Sequence, residues 1–412
     1  MDFGDSPAEA AFRARARAWL AANAPRKSAE SSPWAAGSAA LSVAEQDERE
    51  RADIARAREW QHKLHAAGWA AITWPTEYGG RGGNEIEAAI FAEEMAGFDT
   101  PLGWTAVSVG MVGPTLIAHG TAEQKARHLP PILRGDESWC QLFSEPGAGS
   151  DLAGVRTRAE RTADGWLVNG QKVWTTGARV SEFGALLART DGSQPKHRGL
   201  SFFIVDMSAP GIEIRPLRQM DGAAHFNEVY LTDVRLPADC LVGEVNDGWR
   251  VANTMLFNER GLIGGRVLSD FDLIVELARL RKRSADPVVR QEIAKVYARE
   301  QVLRLLGYEA RTALSQGIAA PAIASVSKLL TGINERDLTR FALDLLGPDG
   351  MIADPDGYRN GEWQQRFLAS PTPRIAGGSD EIQKNILGER YLGLPPDYRP
   401  DKNVAFDDIP KA

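Results

Sequence analysis

The sequence predicts an α+β protein of 412 residues, with a helical N-terminal domain, a central β-barrel or sandwich domain and a C-terminal four-helix bundle. Three observations predict this order. Apolar residues recur at helical spacing in the first third, short strand-like runs fill the middle, and long helical periods return from Asp247 onward. Because strands and helices do not alternate, the pattern argues against a doubly wound nucleotide-binding fold. The expected boundaries are residues 1–135, 136–245 and 246–395, followed by a tail at 396–412.

The N-terminal domain is predicted from apolar stripes. Phe12, Ala16 and Leu20 lie on one face of the first predicted helix. The last helix of this domain opens with Thr121 and carries Gln124 at the spacing of a capping box. The predicted elements are helices over 8–24, 43–66, 86–98 and 122–133, and a Ser-, Ala- and Gly-rich loop over 28–40.

The central domain is predicted from short strands between turn residues. Asn169-Gly170 separates two strand-like runs, 165–168 and 171–174, and Asn-Gly is a strong signal for a two-residue hairpin turn. We therefore expect a β-hairpin at this point. Further strands are expected over 185–189, 200–205, 211–214 and 228–231.

The C-terminal domain is predicted from long helical periods. Asp247 can cap a helix that carries Val251, Met255 and Leu262 on one face. The tail beyond Leu394 contains Pro, Asp and Lys, and it offers little apolar surface to bury. Further helices are expected over 269–283, 288–315, 321–346 and 380–391.

Composition and charge argue against several classes of function. A net charge of −7 and a pI near 5.6 give no electrostatic support for binding nucleic acid or a membrane surface. No stretch approaches the roughly 18 apolar residues of a membrane span. Cys140 and Cys240 lack the spacing of a zinc cluster or a disulfide framework, so we expect buried thiols and no metal site. The acidic N-terminus lacks the apolar core of a signal peptide, which favours a cytoplasmic protein.

The segment from Gln141 to Asp151, QLFSEPGAGSD, is the most informative part of the chain. Gly147 and Gly149 expose backbone amides and let a ligand approach closely. The small hydroxyl residues beside them suit flavin and phosphate oxygens. Leu152 occupies the last glycine position of a GxGxxG motif, which argues against a dinucleotide-binding turn.

This segment and the later VWTTG at 173–177 together resemble the two flavin-contacting segments of the acyl-CoA dehydrogenase family, in the same order and spacing. PTEYGG at 75–80 and GGSDEIQ at 377–383 match the family as well. The resemblance implies an FAD cofactor and an acyl-CoA substrate. It implies that Trp174 packs against the flavin, that Thr176 bonds near flavin N5 and that Ser150 faces the CoA. The implied cofactor-binding residues are Gln141, Leu142, Phe143, Ser144, Gly149, Ser150, Trp174, Thr175, Thr176, Gln291, Ser379, Asp380 and Glu381, and the implied substrate-binding residues are Ser150, Arg260, Gly377 and Gly378.

The general base is expected at Glu259. Gly377 occupies the position of the base in many family members, and the chain in this respect resembles the isovaleryl and long-chain types, whose base lies on an earlier helix. Independently of the family, Glu259 shares a predicted helix face with apolar residues and has no Lys or Arg three or four positions away. Burial on that face raises a carboxyl pKa and makes it a stronger base. The apolar neighbours are Met255, Leu256, Leu262 and Ile263.

Alternatives remain open for the acidic residues. One interpretation makes Glu259 a buried carboxylate paired with an arginine from another segment. Asp380 and Glu381 compete as the base because they lie next to the flavin by resemblance. Acidic residues in the first turn of a helix are more simply partners of the helix dipole.

The resemblance also implies a reaction. Glu259 takes the α-proton while hydride passes from Cβ to flavin N5, and a trans-2-enoyl-CoA results. The Gly377 amide supplies a hydrogen bond to the thioester carbonyl, where negative charge develops. Reduced FAD then passes electrons to an electron-transferring flavoprotein, in lipid catabolism. The sequence leaves the acyl group open between branched, straight, aromatic and steroid-derived chains.

Departures from the family concern assembly. No Phe-Gly stands in 280–287, where the family often has Arg-x-x-Phe-Gly, and 344–350 keeps only half of its Gln-x-x-Gly-Gly pattern. Gln291 still matches a cofactor position that crosses a subunit boundary. Assembly therefore stays open between a homo-oligomer, dimer or tetramer, and a heterotetramer of unlike chains. Two rival functions are a flavin oxidase or monooxygenase of the same fold, and a non-catalytic partner subunit.

Overall fold

The computed structural model confirms the predicted order of helices, sheet and helices. The predicted loop over 28–40 lies outside the residues that it describes. Those residues are 4–27, 43–101, 103, 105–264, 270–316, 318, 321–353 and 356–410.

The N-terminal helices surround an apolar cluster of their own. α1 buries Phe12, Ala16 and Leu20 on one face, as predicted. The rings of Trp69 and Phe91 stack with their centroids 4.8 Å apart beside that face. The helices are α1 (Pro7–Asn23), α2 (Val43–Ala66), α3 (Glu85–Met95), α4 (Thr105–Val107), α5 (Gly113–His119) and α6 (Ala122–Arg134), with a π-helical turn at Ser108–Val112.

The capping box of α6 is confirmed. The Gln124 amide donates to Thr121 Oγ1 at 3.2 Å, and the Thr121 amide donates to Gln124 Oε1 at 3.0 Å. Gln124 also donates from its side chain to the Leu241 carbonyl at 2.8 Å. The cap therefore attaches the N-terminal helices to the central domain.

The central strands form one mixed sheet. They are β1 (Trp139–Leu142), β2 (Arg158–Arg161), β3 (Gly165–Thr176), β4 (Phe183–Arg189), β5 (Leu200–Asp206), β6 (Ile212–Leu217), β7 (Phe226–Pro237) and β8 (Leu241–Val242). The strand order is β6-β7-β3-β2-β4-β5-β8, and β1 pairs with β4 beside this path. β1 and β2 run parallel to β4, and the other pairs are antiparallel.

The predicted hairpin at Asn169-Gly170 is wrong. β3 runs through both residues without a turn, and its pairing with β7 shifts register at Gly170. A Cβ on Gly170 would lie 2.4 Å from Thr157 Oγ1, so the glycine leaves room for the segment that precedes β2. Asn169 donates from its side chain to Asp233 at 3.0 Å. The dipeptide therefore forms a bulge, which permits close packing within the sheet.

The C-terminal helices enclose a buried ion-pair triad. Arg366 is 4% exposed and bonds to Asp270 at 2.8 Å and to Glu335 at 2.9 Å. The two carboxylates satisfy the buried guanidinium and hold three helical segments together. The helices are α7 (Gly248–Gly264), α8 (Phe271–Leu280), α9 (Pro287–Ser315), α10 (Pro321–Leu346), α11 (Glu362–Ala369), α12 (Thr372–Ile375) and α13 (Asp380–Arg390).

The C-terminal tail has more to bury than the sequence predicted. Phe406 is 6% exposed and packs against Arg189, whose guanidinium carbon lies 3.8 Å from the ring centroid. Lys196 bridges the tail to the Gly-rich segment through Asp401 at 2.6 Å and Asp151 at 3.0 Å. The tail therefore folds back on the central domain. Phe406 supplies the buried anchor.

We expect Phe406→Ala to release this tail. The substitution removes a buried ring and its contact with Arg189, and it should cost about 3 kcal/mol of docking free energy. Limited trypsin digestion measures the release as faster cleavage after Lys402. Phe367→Ala is the matched control because that ring is 40% exposed. Equal cleavage rates in the two variants would contradict the anchoring role.

Three further predictions concern membrane spans, metal sites and cysteine thiols. None of the helices in the described part combines the length and apolar content that a membrane crossing needs. The described residues contain no group of three or more His, Cys, Asp or Glu side chains that could hold a metal ion. Cys140 and Cys240 are free and buried, and burial raises the pKa of each thiol to about 12. The predicted buried thiols are thus confirmed.

Candidate active site

The two predicted flavin-contacting segments lie against each other. The Val173 amide of β3 donates to the Ser144 carbonyl at 2.9 Å, which brings Trp174 and the following residues beside the Gly-rich segment. Leu142 and Phe143 are buried and anchor that segment in the sheet core. Their neighbours Gln141 and Ser144 remain partly accessible, as expected where a strand ends at a groove.

A buried ion pair fixes this junction. Lys172 is fully buried, and its ammonium donates to Glu145 Oε1 and the Phe143 carbonyl, each at 2.9 Å, and to the Leu187 carbonyl at 2.8 Å. Burial lowers the pKa of Lys172 to about 8 although Glu145 opposes the shift, so the ammonium stays mainly charged at neutral pH. Burial also acts to raise the pKa of Glu145, but Lys172 and the Thr157 side chain outweigh it and hold that pKa low.

Trp174 has an exposed side chain and an unusual backbone conformation. The indole is 59% exposed, φ is +62°, and the pairing of β3 with β7 shifts register between Lys172 and Thr175. A bulky residue rarely adopts a positive φ, and such strain is concentrated at ligand sites. Thr175 is buried and Thr176 is exposed on the accessible side. An exposed indole beside accessible glycine amides is suited to a flat, polar ring system.

Glu259 reaches this junction from α7. Val251 and Met255 are fully buried and fix α7 against the sheet. Gln141 Nε2 at β1 donates to Glu259 Oε2 at 3.3 Å, so the predicted base adjoins the Gly-rich segment. Of the predicted apolar neighbours, Leu256 packs on the core. The side chains of Leu262 and Ile263 lie outside the described residues.

Burial raises the pKa of the Glu259 carboxyl above its ordinary value of 4.5. The Gln141 amide, the charges of Arg260 and Lys328, and the Gly377 amide oppose the rise without cancelling it. Burial likewise lowers the pKa of Arg260. A carboxylate with a raised pKa accepts a proton more readily, which is the property that the predicted base needs.

The Gly377–Gly378 turn lies on the other side of Glu259. Both glycines adopt a positive φ, +64° and +88°, which any larger residue would resist. Gln383 Nε2 donates to the Gly377 carbonyl at 2.9 Å, and Lys328 Nζ donates to the Gly378 carbonyl. Ser379 caps α13 through its side chain. The turn is therefore fixed by side chains from α10 and α13.

The remaining predicted residues differ in environment. Asp380 is 3% exposed and pairs with Arg374 at 2.6 Å. Glu381 is exposed, and its own amide and the Ser379 hydroxyl lower its pKa. Both lie in the first turn of α13, as helix-dipole partners do. Gln291 is exposed near the start of α9, away from this cluster in sequence.

Sequence reasoning missed Lys172, Glu145 and Lys328. The signal for Lys328 was available, because its helical neighbours three and four positions away are uncharged. The same test had identified Glu259. Lys172 lies in β3, and neither residue spacing nor local composition indicates that its ammonium donates hydrogen bonds to three oxygens. The neighbours of Lys328 are Ala324, Ser325, Thr331 and Gly332.

A concavity of about 650 Å³ opens along the N-terminal half of α7. It is lined by His197 and Arg198 of the central domain and by Trp249, Arg250 and Phe257 of α7, among others. The rings of His197 and Trp249 meet edge to face with centroids 4.9 Å apart. Phe257 and Glu259 are two residues apart on α7, so their side chains lie on different faces of the helix and the concavity opens on a face away from Glu259.

Family models match the chain from near its start to residue 392. The model for the acyl-CoA dehydrogenase N-terminal domain matches residues 6–136. Those for the middle and C-terminal domains match residues 140–234 and 246–392. The matches follow one another in the order of the helical, β and helical parts.

Individual proteins are similar over almost their whole length. Acyl-CoA dehydrogenase IpdE1 from Mycobacterium tuberculosis is 41% identical over 388 residues, which cover 93% of this chain and 97% of that protein. The solved Tcur3481-Tcur3483 steroid ACAD has a TM-score of 0.80 at 32% identity, covering 96% of this chain and 100% of that chain. The ChsE4-ChsE5 complex from Mycobacterium tuberculosis has a TM-score of 0.77 at 29% identity, with coverage of 96% and 100%. The chain therefore belongs to the acyl-CoA dehydrogenase family of oxidoreductases.

Proposed function

We propose that the chain catalyses FAD-dependent α,β-dehydrogenation of an acyl-CoA thioester to a trans-2-enoyl-CoA, with Glu259 as the base. The observation that carries this proposal is a carboxylate of raised pKa that bonds to Gln141 at the edge of the Gly-rich segment. Its task is to remove a weakly acidic proton next to the thioester carbonyl. The Gly377 amide, which donates to Glu259, can stabilise charge on that carbonyl once the thioester replaces the carboxylate as its acceptor.

The family implies a flavin cofactor, and the residues present fit one. A side chain added at Gly147 or Gly149 would meet nothing within 4 Å, so the segment presents open backbone to a ligand. Trp174 offers a flat exposed ring beside it. Ser144 and Thr176 supply hydroxyls at the same junction. When bound, FAD supplies an acceptor for the hydride from Cβ.

The CoA part of the substrate is proposed to lie along α7. The concavity beside the first turns of α7 carries Arg198 and Arg250, and of these Arg198 supplies the positive charge for an anionic ligand, because Asp247 in the same lining pairs with Arg250. Asp151 follows Ser150 and is joined by Lys196 to the loop that lines the concavity. Ser150 directly precedes Asp151 and is exposed, which supports its proposed role in facing CoA.

A steroid-derived acyl group is the proposed substrate class. Its support is the likeness to the steroid ACAD, which aligns over 96% of this chain at a TM-score of 0.80. A fused-ring acyl group is bulky and apolar, so its burial contributes binding energy roughly in proportion to its area. Straight and short branched chains bury less surface and should reduce the flavin less efficiently.

Anaerobic dye-linked reduction tests this function. The purified chain is mixed with straight, branched, aromatic and steroid-derived acyl-CoA thioesters; dye reduction measures turnover, and flavin bleaching is followed in a parallel mixture without dye. We expect bleaching, with the highest kcat/KM for the steroid-derived thioester. Bleaching by none of them would overturn the dehydrogenase proposal. Oxygen consumption by the reduced enzyme without any thioester would favour a flavin oxidase or monooxygenase.

The pH dependence of flavin reduction follows from Glu259. Its carboxyl must be ionised to take the proton, and its folded-state pKa is raised above 4.5. We therefore expect the rate at saturating thioester to fall as the pH drops through that raised pKa. Stopped-flow absorbance at a series of pH values measures this acid limb. A rate that stays level down to pH 4.5 would contradict the assignment of an elevated pKa.

A second candidate function is that of one subunit in a heteromeric dehydrogenase. It is favoured by the likeness to the ChsE4-ChsE5 complex, at a TM-score of 0.77. In that case the chain works beside an unlike subunit, and an electron-transferring flavoprotein accepts the electrons in either case. A colourless chain that reduces dye only after mixing with a second subunit would support the heteromer. A yellow, active chain alone supports a homo-oligomer.

A further inference from the structure

Lys328 is a buried ammonium in the N-terminal half of α10. Its side chain is 0% exposed, and Ser325 and Thr331 on the same helix face are buried and uncharged. Removing an ammonium from water costs several kcal/mol unless partners replace the water. Burial accordingly lowers the pKa of Lys328, while nearby acids oppose the shift. A charge retained at such a position calls for a specific partner.

That partner is the Gly377–Gly378 turn. Lys328 Nζ donates to the Gly378 carbonyl, fifty residues away in the chain. The charged groups that face the ammonium are Asp380 and Glu381 on α13, Arg374 on α12 and Glu259 on α7. The ammonium therefore stands between the proposed base and the first turn of α13. It acts on Glu259 through its charge and on the turn through a hydrogen bond.

The turn depends on such external bonds. Glycine has the most conformational freedom of all residues, so two successive glycines do not fix their own backbone. Contacts with neighbouring residues must therefore hold the positive φ values of this turn. Gln383 holds the Gly377 carbonyl and Lys328 holds the Gly378 carbonyl. Because a peptide unit is planar and trans, fixing these two carbonyls also fixes the directions of the Gly378 and Ser379 amides, which directly follow the Gly377 amide. Lys328 thus fixes the peptide unit between Gly378 and Ser379 and limits the movement of the turn that carries the Gly377 amide.

The packing of α10 supports this function. A Cβ on Gly332, one helical turn beyond Lys328, would lie 2.9 Å from Arg374 Cγ and 3.3 Å from the Pro373 carbonyl. The glycine therefore lets α10 approach the segment that leads into the turn. Arg374 is in turn fixed by Asp380 at 2.6 Å. Lys328 reaches the turn from a closely packed helix rather than from a free surface.

We infer that Lys328 is a positioning residue, which holds the Gly377–Gly378 turn in register with Glu259 and keeps a positive charge behind that carboxylate. The inference rests on the proposed function, because it assigns the turn and Glu259 to one reaction. It extends that function by tying the pH response of the base to a residue that does not contact the reacting atoms.

Three variants test the inference. Lys328→Met keeps the length of the side chain but removes its charge and its donors. We expect kcat to fall roughly 100-fold with a smaller change in KM, as when one donor of a charge-stabilising site is misplaced. We also expect the acid limb of the rate to move to higher pH, because a cation that lowers the pKa of Glu259 is lost. Lys328→Arg retains the charge and should keep the limb near its parental position. Lys384→Met, on the exposed face of α13, should change neither quantity.

Amide hydrogen exchange measures the mobility of the Gly377–Gly378 turn without requiring catalysis. The peptide that contains residues 377–383 should exchange faster in Lys328→Met than in the parent or in Lys384→Met, while α1 keeps its protection as a check of folding. Parental exchange in that peptide, or an unmoved acid limb in Lys328→Met, would overturn the positioning role. The proposed function fails by a different result, namely a parent enzyme that no acyl-CoA thioester bleaches.

Discussion

Glu259→Gln is expected to lower the rate of flavin reduction by an acyl-CoA thioester roughly 10³-fold. The glutamine amide has the shape of the carboxylate, and it can still accept a hydrogen bond from Gln141. It cannot accept the α-proton. The flavin segments do not depend on this side chain, so the variant should remain yellow. Stopped-flow absorbance of the flavin under anaerobic conditions measures the loss.

Two further substitutions decide how that result is interpreted. Glu160→Gln on β2 is the control, because this glutamate is exposed on the sheet surface and should leave reduction unchanged. Glu381→Gln tests the competing acid at the start of α13. If Glu381 were the base, its variant would lose reduction and Glu259→Gln would retain it. That pattern would move the assignment to α13.

Lys172→Met is expected to lower the free energy of unfolding by about 3–5 kcal/mol, as the loss of one partner from a buried ion pair does. Methionine fills a similar volume but leaves the Glu145 carboxylate and the carbonyls of Phe143 and Leu187 without their ammonium. The junction of the two flavin segments should loosen with it, so flavin retention should fall as well. Urea unfolding and the flavin content of the purified variant measure both effects.

Two further variants test whether the loss of stability comes from burial of the ion pair or from removal of a charge alone. Lys63→Met removes an ion pair of similar length, 2.8 Å to Glu59, whose side chains are 48% and 69% exposed. We expect that variant to lose little stability, because solvent screens an exposed ion pair. Adding Glu145→Gln to Lys172→Met should restore part of the stability, because no isolated charge then stays buried. Equal losses for Lys63→Met and Lys172→Met would contradict the importance of burial.

The sequence predicted the helical parts well, because their signals are local. The apolar stripe of α1 and the capping box of α6 depend on spacings of three and four residues, and both are present. The Asn169-Gly170 hairpin failed for a reason that lies outside the segment. The space that Thr157 needs beside Gly170 outweighs the turn preference of the dipeptide. Local propensity carries no information about that neighbour.

The candidate site, too, was predictable from the sequence only in its local features. Glu259 and the Gly-rich segment were recognisable from residue type and spacing, and the pKa rise at Glu259 agrees with its predicted burial. The contact of Gln141 with Glu259 joins residues 118 positions apart, and that of Lys328 with Gly378 joins residues 50 apart. Such pairs depend on how β1, α7, α10 and α13 pack. Phe406 was missed because one aromatic residue gives no periodic signal.

The backbone of Trp174 has a consequence for protein engineering. A tryptophan at φ +62° stores conformational energy on the order of 1 kcal/mol that glycine or asparagine would release. Exposure of 59% means that little core packing is lost on replacing it. A selection for heat resistance alone would therefore favour removing the indole, and variants that gained thermal tolerance at this position would lose the exposed ring that we propose to pack against the flavin.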